Sequence, residues 1–352
     1  MRELREFVCG APWWSDDGRP LRADPAERAL LPGDTWERAT VPAGVRLAFV
    51  AGGVRAVEIA YEGSEPWETD TYRDVPPLFT LLSGDAVAGE TSAAPGTHVA
   101  RLELPHPEGE FTLHLPEALR PALRGLRPVG GGTLTPAPPR PRWLVHGDSI
   151  TEGWWASRPH LAWPALAGRA LGLDTVNLGY AGAARGELTS ARQLGSLRGD
   201  FITLAFGTNC WSRTPSSTGL LYETTRAFLN LVRAGHPHTP LLVVSPLVRP
   251  DAESRPNELG ATLADLRTAQ ERAVRDAIRG GDAHLTLLPG AGILGTRQLR
   301  DGVHPDDAGH ELLADAVMAC APQGAQAIRD AGRCRYAAPP QGATGPHRPA
   351  AG

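Results

Sequence analysis

Trp143-Leu144-Val145-His146-Gly147-Asp148-Ser149-Ile150-Thr151-Glu152-Gly153 is an apolar run that stops at a glycine and is followed two residues later by a serine. The pattern predicts a buried strand feeding a tight turn into the first turn of a helix. Such a turn lifts a side chain off the carboxyl edge of a sheet, where open α/β sheets hold their ligands. Ser149 then lies near the backbone N–H groups of a helix N-terminus, which stabilise developing negative charge. It is a candidate nucleophile. The plainer alternative is a serine that caps the helix, and the rest of the chain decides between them.

Outward from this stretch the texture is strand, helix, strand, helix. Apolar runs recur at Thr175–Leu178, Phe201–Phe206, Leu241–Ser245 and Leu285–Leu288. Helical spacing shows in 261–279 and 306–319. Short strands alternating with helices imply a parallel sheet covered on both faces, and right-handed crossovers make it a three-layer, doubly wound domain. We place this domain at 142–322. Before it, Thr135-Pro136-Ala137-Pro138-Pro139-Arg140-Pro141 is dense in proline and predicts a stiff extended linker over 135–141.

Residues 1–134 have a different period. Val45, Leu47 and Phe49 alternate with other residues, as do Val57, Ile59 and Tyr61, then Ala100, Leu102 and Leu104, then Phe111, Leu113 and Leu115. Alternation at period two, punctuated by Gly52-Gly53, Pro76-Pro77 and Pro105-His106-Pro107, predicts a β-sandwich of jelly-roll type. Residues 1–40, with Trp13, Trp14 and Trp36 among prolines and charges, read as irregular. The Pro/Gly/Ala-rich tail 336–352 reads as disordered.

Composition narrows the chemistry. A net charge of -4 with no long basic run argues against nucleic acid. No apolar stretch approaches a membrane span, and the charged N-terminus lacks the apolar core of a signal peptide, so the expectation is a cytoplasmic protein without a membrane partner. Cys9, Cys210, Cys320 and Cys334 form no CxxC pair. All the basic residues are arginine, which excludes a Schiff-base lysine, a Ser-Lys dyad and a Walker A loop together. His236-Pro237-His238 reads as a solvated loop. His310 falls on the last helix without the Glu of an HExxH pair, so no metal and no cofactor are expected.

A nucleophilic serine needs a base, a group that orients the base, and oxyanion donors. Asp301 and His304 stand three apart on a loop before the last helix. That spacing lets the carboxylate reach the imidazole Nδ1 while Nε2 faces outward. Asn177-Leu178-Gly179-Tyr180-Ala181-Gly182 follows the second strand, and Gly182 can present an unobstructed N–H. Gly207-Thr208-Asn209 ends the third strand, and the Asn209 amide is a further donor. Each has a bland reading: a surface turn, a glycine turn, a capping asparagine. Their joint occurrence at strand ends, in workable order, does not.

Gly147-Asp148-Ser149, then Asn-x-Gly-x-x-Gly, then Gly-x-Asn, then Asp-x-x-His resembles the GDSL/SGNH hydrolase superfamily over roughly residues 142–320. The resemblance implies a flavodoxin-like fold and metal-free ester hydrolysis through a covalent acyl-enzyme. It carries the nucleophile onto Ser149 and the oxyanion donors onto the Ser149 and Gly182 N–H groups and the Asn209 side chain. It carries the base onto His304 and its orienting acid onto Asp301. A sandwich preceding such a domain also resembles certain two-domain carbohydrate esterases.

Trp154, Trp155 and Trp211 lie close to these motifs, and tryptophan faces stack on sugar rings. They are candidate substrate-binding residues. Arg185, and also Arg158, are candidates for contacting a substrate carboxylate. Trp163 and Cys210 read as packing residues. The expected activity is hydrolysis of short acyl esters, with acetyl foremost, on a carbohydrate or glycosylated small molecule. An acyltransferase sharing the acyl-enzyme and a non-catalytic carbohydrate-binding protein are the rivals. The sequence does not fix the oligomeric state.

Overall fold

The computed structural model describes residues 2–67 and 75–321; the tail 336–352 and Cys334 lie outside them. Five parallel strands form the central sheet in the spatial order Asp174–Gly179, Arg142–Gly147, Phe201–Ala205, Leu241–Val244, Leu285–Leu288. The strand that leads to Ser149 is first in sequence, yet lies inside the sheet. The chain order reverses on either side of it, which makes its carboxyl end the place where a ligand fits.

Both faces are covered, as the near-continuous apolar strands require. Leu144, Leu178, Ile202, Leu204 and Val243 face helices Leu188–Ser196, Thr218–Gly235 and Leu263–Arg279. Trp143, Val145, Phe201, Leu242 and Val244 point to the opposite face, against helices Trp163–Leu171 and Asp307–Cys320. Trp143 and Phe201 stack there with centroids 5.6 Å apart, and Trp163 is fully buried beside them. The expected helices are capped: Thr262 and Asp265 form a capping box, and Asp306 accepts from Gly309 N–H.

The N-terminal region is two antiparallel sheets around one core. Leu47, Phe49, Val57, Ile59, Tyr61, Leu102, Phe111, Leu113 and Leu115 all point into it, as their period-two spacing predicts. Strands Leu78–Ser83, Ala86–Ser92 and Ala122–Val129 complete the sheets. Ala86–Ser92 carries no alternating apolar face, because it is an edge strand with no buried residue.

Three features differ from the sequence reading. Thr133–Pro136 is a strand, with Thr135 opposite Val50 and Pro136 opposite Phe49, so the start of the proline-rich linker belongs to the sandwich. Proline is tolerated there because this strand lies at the sheet's margin. Residues 20–40 are not irregular filler: Gly33–Ala39 is a helix, and Ala23, Leu31 and Ala39 are buried in the core of the parallel-sheet domain. The first segment of the chain thus packs with the second domain. His236 is buried rather than solvated, its Nε2 lying 2.9 Å from Leu194 O.

Candidate active site

The turn that carries Ser149 is built as the sequence implies. Asp148 is the N-cap, its Oδ1 accepting from Ile150 N–H at 3.0 Å, and Ser149 opens the one-turn helix Ser149–Glu152. That helix packs directly on two strand ends. A Cβ on Gly147 would meet Thr151 Oγ1 at 2.1 Å, and one on Gly179 would meet Glu152 N at 2.3 Å, so only glycine allows the approach. Burial pushes the Asp148 carboxyl up to about 6, against the lowering effect of the Ile150 N–H and His304.

Ser149 Oγ lies 2.8 Å from His304 Nε2, and His304 Nδ1 lies 2.7 Å from Asp301 Oδ2. Asp301 Oδ1 also accepts from His304 N–H at 2.8 Å and Val303 N–H at 3.0 Å, which folds the loop around the carboxylate. Partial burial raises the Asp301 pKa, but the His304 ring and these N–H groups outweigh it and hold the carboxyl well below the usual carboxylate range. An ionised Asp301 only accepts hydrogen bonds, so in a neutral imidazole Nδ1 carries the proton and Nε2 is the acceptor that faces the serine hydroxyl.

The candidate oxyanion loop follows the second strand, Asp174–Gly179. Gly182 takes φ +69, which suits glycine, and turns the chain between Ala181 and Ala183. Asn209 is buried on the short helix Asn209–Ser212, its Nδ2 donating to Ala183 O at 2.5 Å. One amide hydrogen ties Asn209 to the Gly182 loop; the amide carries a second donor.

A further cluster under this site was not visible in the sequence. Glu152, on the Ser149 helix, is buried between Arg22 and Arg38. Its Oε2 accepts from Ala181 N–H at 2.9 Å, the residue before Gly182. Arg22 also donates to Asn177 O, Gly179 O and Val41 O. Burial alone would raise the Glu152 pKa, but the two guanidiniums lower it below the ordinary carboxylate value. Three charges from residues 22, 38 and 152 thereby join the N-terminal segment, the Ser149 helix and the Ala181–Gly182 loop.

The aromatic candidates divide. The Trp154 ring sits 5.0 Å from the His304 ring, with Arg38 5.7 Å from its centroid. Trp155 Nε1 donates to Asp301 Oδ2 at 2.9 Å. Both also line a groove with Pro76, Pro77, Pro116 and Pro159, between the sandwich and the parallel-sheet domain. Trp211 is not a substrate face: it is buried in the core with its indole donating to Arg255 O at 2.9 Å. Arg185 is not open to a substrate carboxylate either, since Asp34 binds it at 2.8 Å and 2.9 Å and Glu187 at 3.0 Å. Arg158 is engaged likewise by Glu90 at 2.8 Å. Cys210 is a packing residue, burial pushing its thiol up to about 12. His310 is buried, with Nδ1 accepting from Trp163 N–H and Nε2 3.0 Å from Trp154 O, and among the described residues no group of side chains could hold a metal ion. No helix among them is long and apolar enough to cross a membrane.

With this geometry in place, comparison with known proteins is direct. Residues 145–312 match the GDSL-like Lipase/Acylhydrolase family model, and that span holds every block described above. The chain carries a GDSL/SGNH hydrolase domain. It is similar to the salicylyl-acyltransferase SsfX3 from a tetracycline biosynthetic pathway, at 26% identity and a TM-score of 0.79 over 88% of this chain and 92% of that one. A GDSL-like lipase from Bacteroides ovatus is 21% identical with a TM-score of 0.74, covering 94% of this chain and 96% of its own. A family two carbohydrate esterase from Clostridium thermocellum is 16% identical with a TM-score of 0.60, covering 80% and 91%. These alignments run through both domains, so the sandwich followed by an SGNH domain is a shared architecture. A search of the curated proteins returns no match. The GDSL/SGNH domain makes the protein an enzyme of the acyl-hydrolase or acyltransferase kind.

Proposed function

We propose that the protein is a serine esterase that cleaves small acyl esters through an acyl-enzyme on Ser149. The observation that carries this is the continuous relay from Ser149 Oγ to His304 at 2.8 Å and on to Asp301 at 2.7 Å. His304 Nε2 takes the hydroxyl proton as Oγ attacks the ester carbonyl. The N–H groups of Ser149 and Gly182 and the Asn209 amide receive the oxyanion, each such donor contributing about 10²–10³ in rate. His304 then protonates the leaving alkoxide and activates water for deacylation. The groove walled by Trp154, Trp155 and prolines suits the flat faces of a carbohydrate-like alcohol.

An acyltransferase is the second reading, favoured by the similarity to SsfX3 along 88% of the chain. It shares every step up to the acyl-enzyme and replaces water with an acceptor alcohol. The test is hydrolysis of p-nitrophenyl acetate and longer p-nitrophenyl esters by the wild type and Ser149→Ala. Steady turnover that Ser149→Ala abolishes supports the esterase. A stoichiometric burst that stalls, and resumes when an acceptor is added, supports the transferase. Turnover that survives in Ser149→Ala removes both.

A further inference from the structure

Most arginines around the triad are committed to carboxylates: Arg38 to Glu152, Arg158 to Glu90, Arg185 to Asp34 and Glu187. Arg213 is not. It is exposed, and among the described residues it has no ion-pair partner. Its position is fixed all the same. Its backbone N–H donates to Asn209 O at 2.9 Å, so it stands one helical turn after Asn209 and on the same helix face. Its guanidinium runs beside the oxyanion loop: a Cβ on Gly182 would lie 3.7 Å from Arg213 Nε and 3.9 Å from Nη2. A cation without an ion-pair partner therefore borders Gly182, one of the three groups assigned to the oxyanion, one helical turn from the second, Asn209.

We propose that Arg213 is a specificity-determining residue that binds a carboxylate carried on the acyl portion of the substrate. The proposal rests on the acyl-enzyme reading above and names its substrate class: esters of acyl groups with a terminal anion, rather than acetyl esters. The side follows from geometry. The leaving oxygen must reach His304 Nε2 to be protonated, whereas a substituent that passes Gly182 toward Arg213 stays on the acyl carbon. A guanidinium presents planar, paired donors that match a carboxylate.

The probes are mono-p-nitrophenyl adipate and p-nitrophenyl hexanoate, which share chain length and leaving group and differ in the terminal charge. Each is corrected for spontaneous hydrolysis. The readout is the ratio of their kcat/KM values on one enzyme preparation, which cancels any general loss of activity. The expected result is a wild-type preference for the adipate of about tenfold, carried in KM and shrinking as salt rises. Arg213→Ala brings the ratio near one, Arg213→Lys keeps part of it, and Arg213→Glu inverts it. A preference that Arg213→Ala retains, or a wild type that hydrolyses hexanoate but does not prefer adipate, overturns the assignment of Arg213 alone. A wild type that forms no acyl-enzyme with either ester overturns the acyl-enzyme reading, and the assignment with it.

Discussion

Two charged assemblies meet at Ser149, and they are built in opposite ways. On one side Asp301 and His304 are three residues apart on one loop, with the Asp301 side chain 36% exposed. On the other, Arg22 and Arg38 each stand more than 100 residues from Glu152, and the three side chains are 0%, 9% and 1% exposed. In the proposed reaction the first assembly moves a proton and needs access to substrate. The second holds the Ala181–Gly182 loop through the Ala181 N–H and needs the absence of water, since a dry ion pair exerts the stronger field. The site thus separates a reactive, local pair from a rigid, long-range one.

Breaking each side should give different signatures. Asp301→Asn removes the charge that selects the His304 tautomer, and kcat should fall by about 10³–10⁴. Its stability should fall less than that of Glu152→Gln: the depressed carboxyl stabilises the fold at neutral pH, but it is partly exposed and screened. Steady-state kinetics beside urea denaturation measures both; a stability loss as large as the kinetic one would erase the distinction.

Glu152→Gln should do the reverse. It leaves two buried guanidiniums without their carboxylate, at a cost of about 3–5 kcal/mol in folding stability. The remaining kcat should also drop, because Ala181 loses a charged acceptor, with KM nearly unchanged. A denaturation midpoint close to that of the wild type would show that water or backbone carbonyls satisfy Arg22 and Arg38 without Glu152.

Glu117 sharpens the comparison through pH. It accepts from Gly44 N–H at 2.8 Å beside the same cluster. Burial raises its carboxyl to about 8, with Glu152 raising it further and Gly44, Arg22 and Arg38 opposing. The folded-state value therefore lies above the unfolded one, about 4.3. The native state keeps this proton where the unfolded chain has released it, so raising the pH between those two values favours unfolding. Melting temperatures from about pH 5 to 8 should fall in the wild type relative to Glu117→Gln. Parallel curves would mean that Glu117 ionises freely in the folded protein.

The same contrast explains what the sequence revealed. Asp301-x-x-His304, Gly147-Asp148-Ser149 and the strand periodicities are local, so spacing alone exposes them. The sandwich core is legible for the same reason, from the alternation at Leu47, Phe49, Val57, Ile59 and Tyr61. Arg22 and Arg38 carry no local mark among 35 basic residues, all arginine, and only the fold shows that they converge on Glu152. Arg185 and Trp211 misled because nearness in sequence to a motif does not say where a side chain points. Arg185 turns back to Asp34 and Glu187, and Trp211 turns into the core.

Trp155 joins the two kinds of construction. It is local to the nucleophile turn, yet its indole donates to Asp301, 146 residues away. Its backbone sits at φ +65, a left-handed conformation that costs a tryptophan about 1–2 kcal/mol. The surrounding turn holds that strain in place and aims the indole at the carboxylate. Trp155→Phe keeps an aromatic side chain at this position but removes the indole donor. One hydrogen bond to a carboxylate still held by the His304 and Val303 N–H groups is worth about 0.5–1.5 kcal/mol, so kcat should fall about 3–10-fold. The melting temperature should barely move. An unchanged kcat would assign Asp301 orientation wholly to its own loop, and the reactive side of the site would then be local throughout.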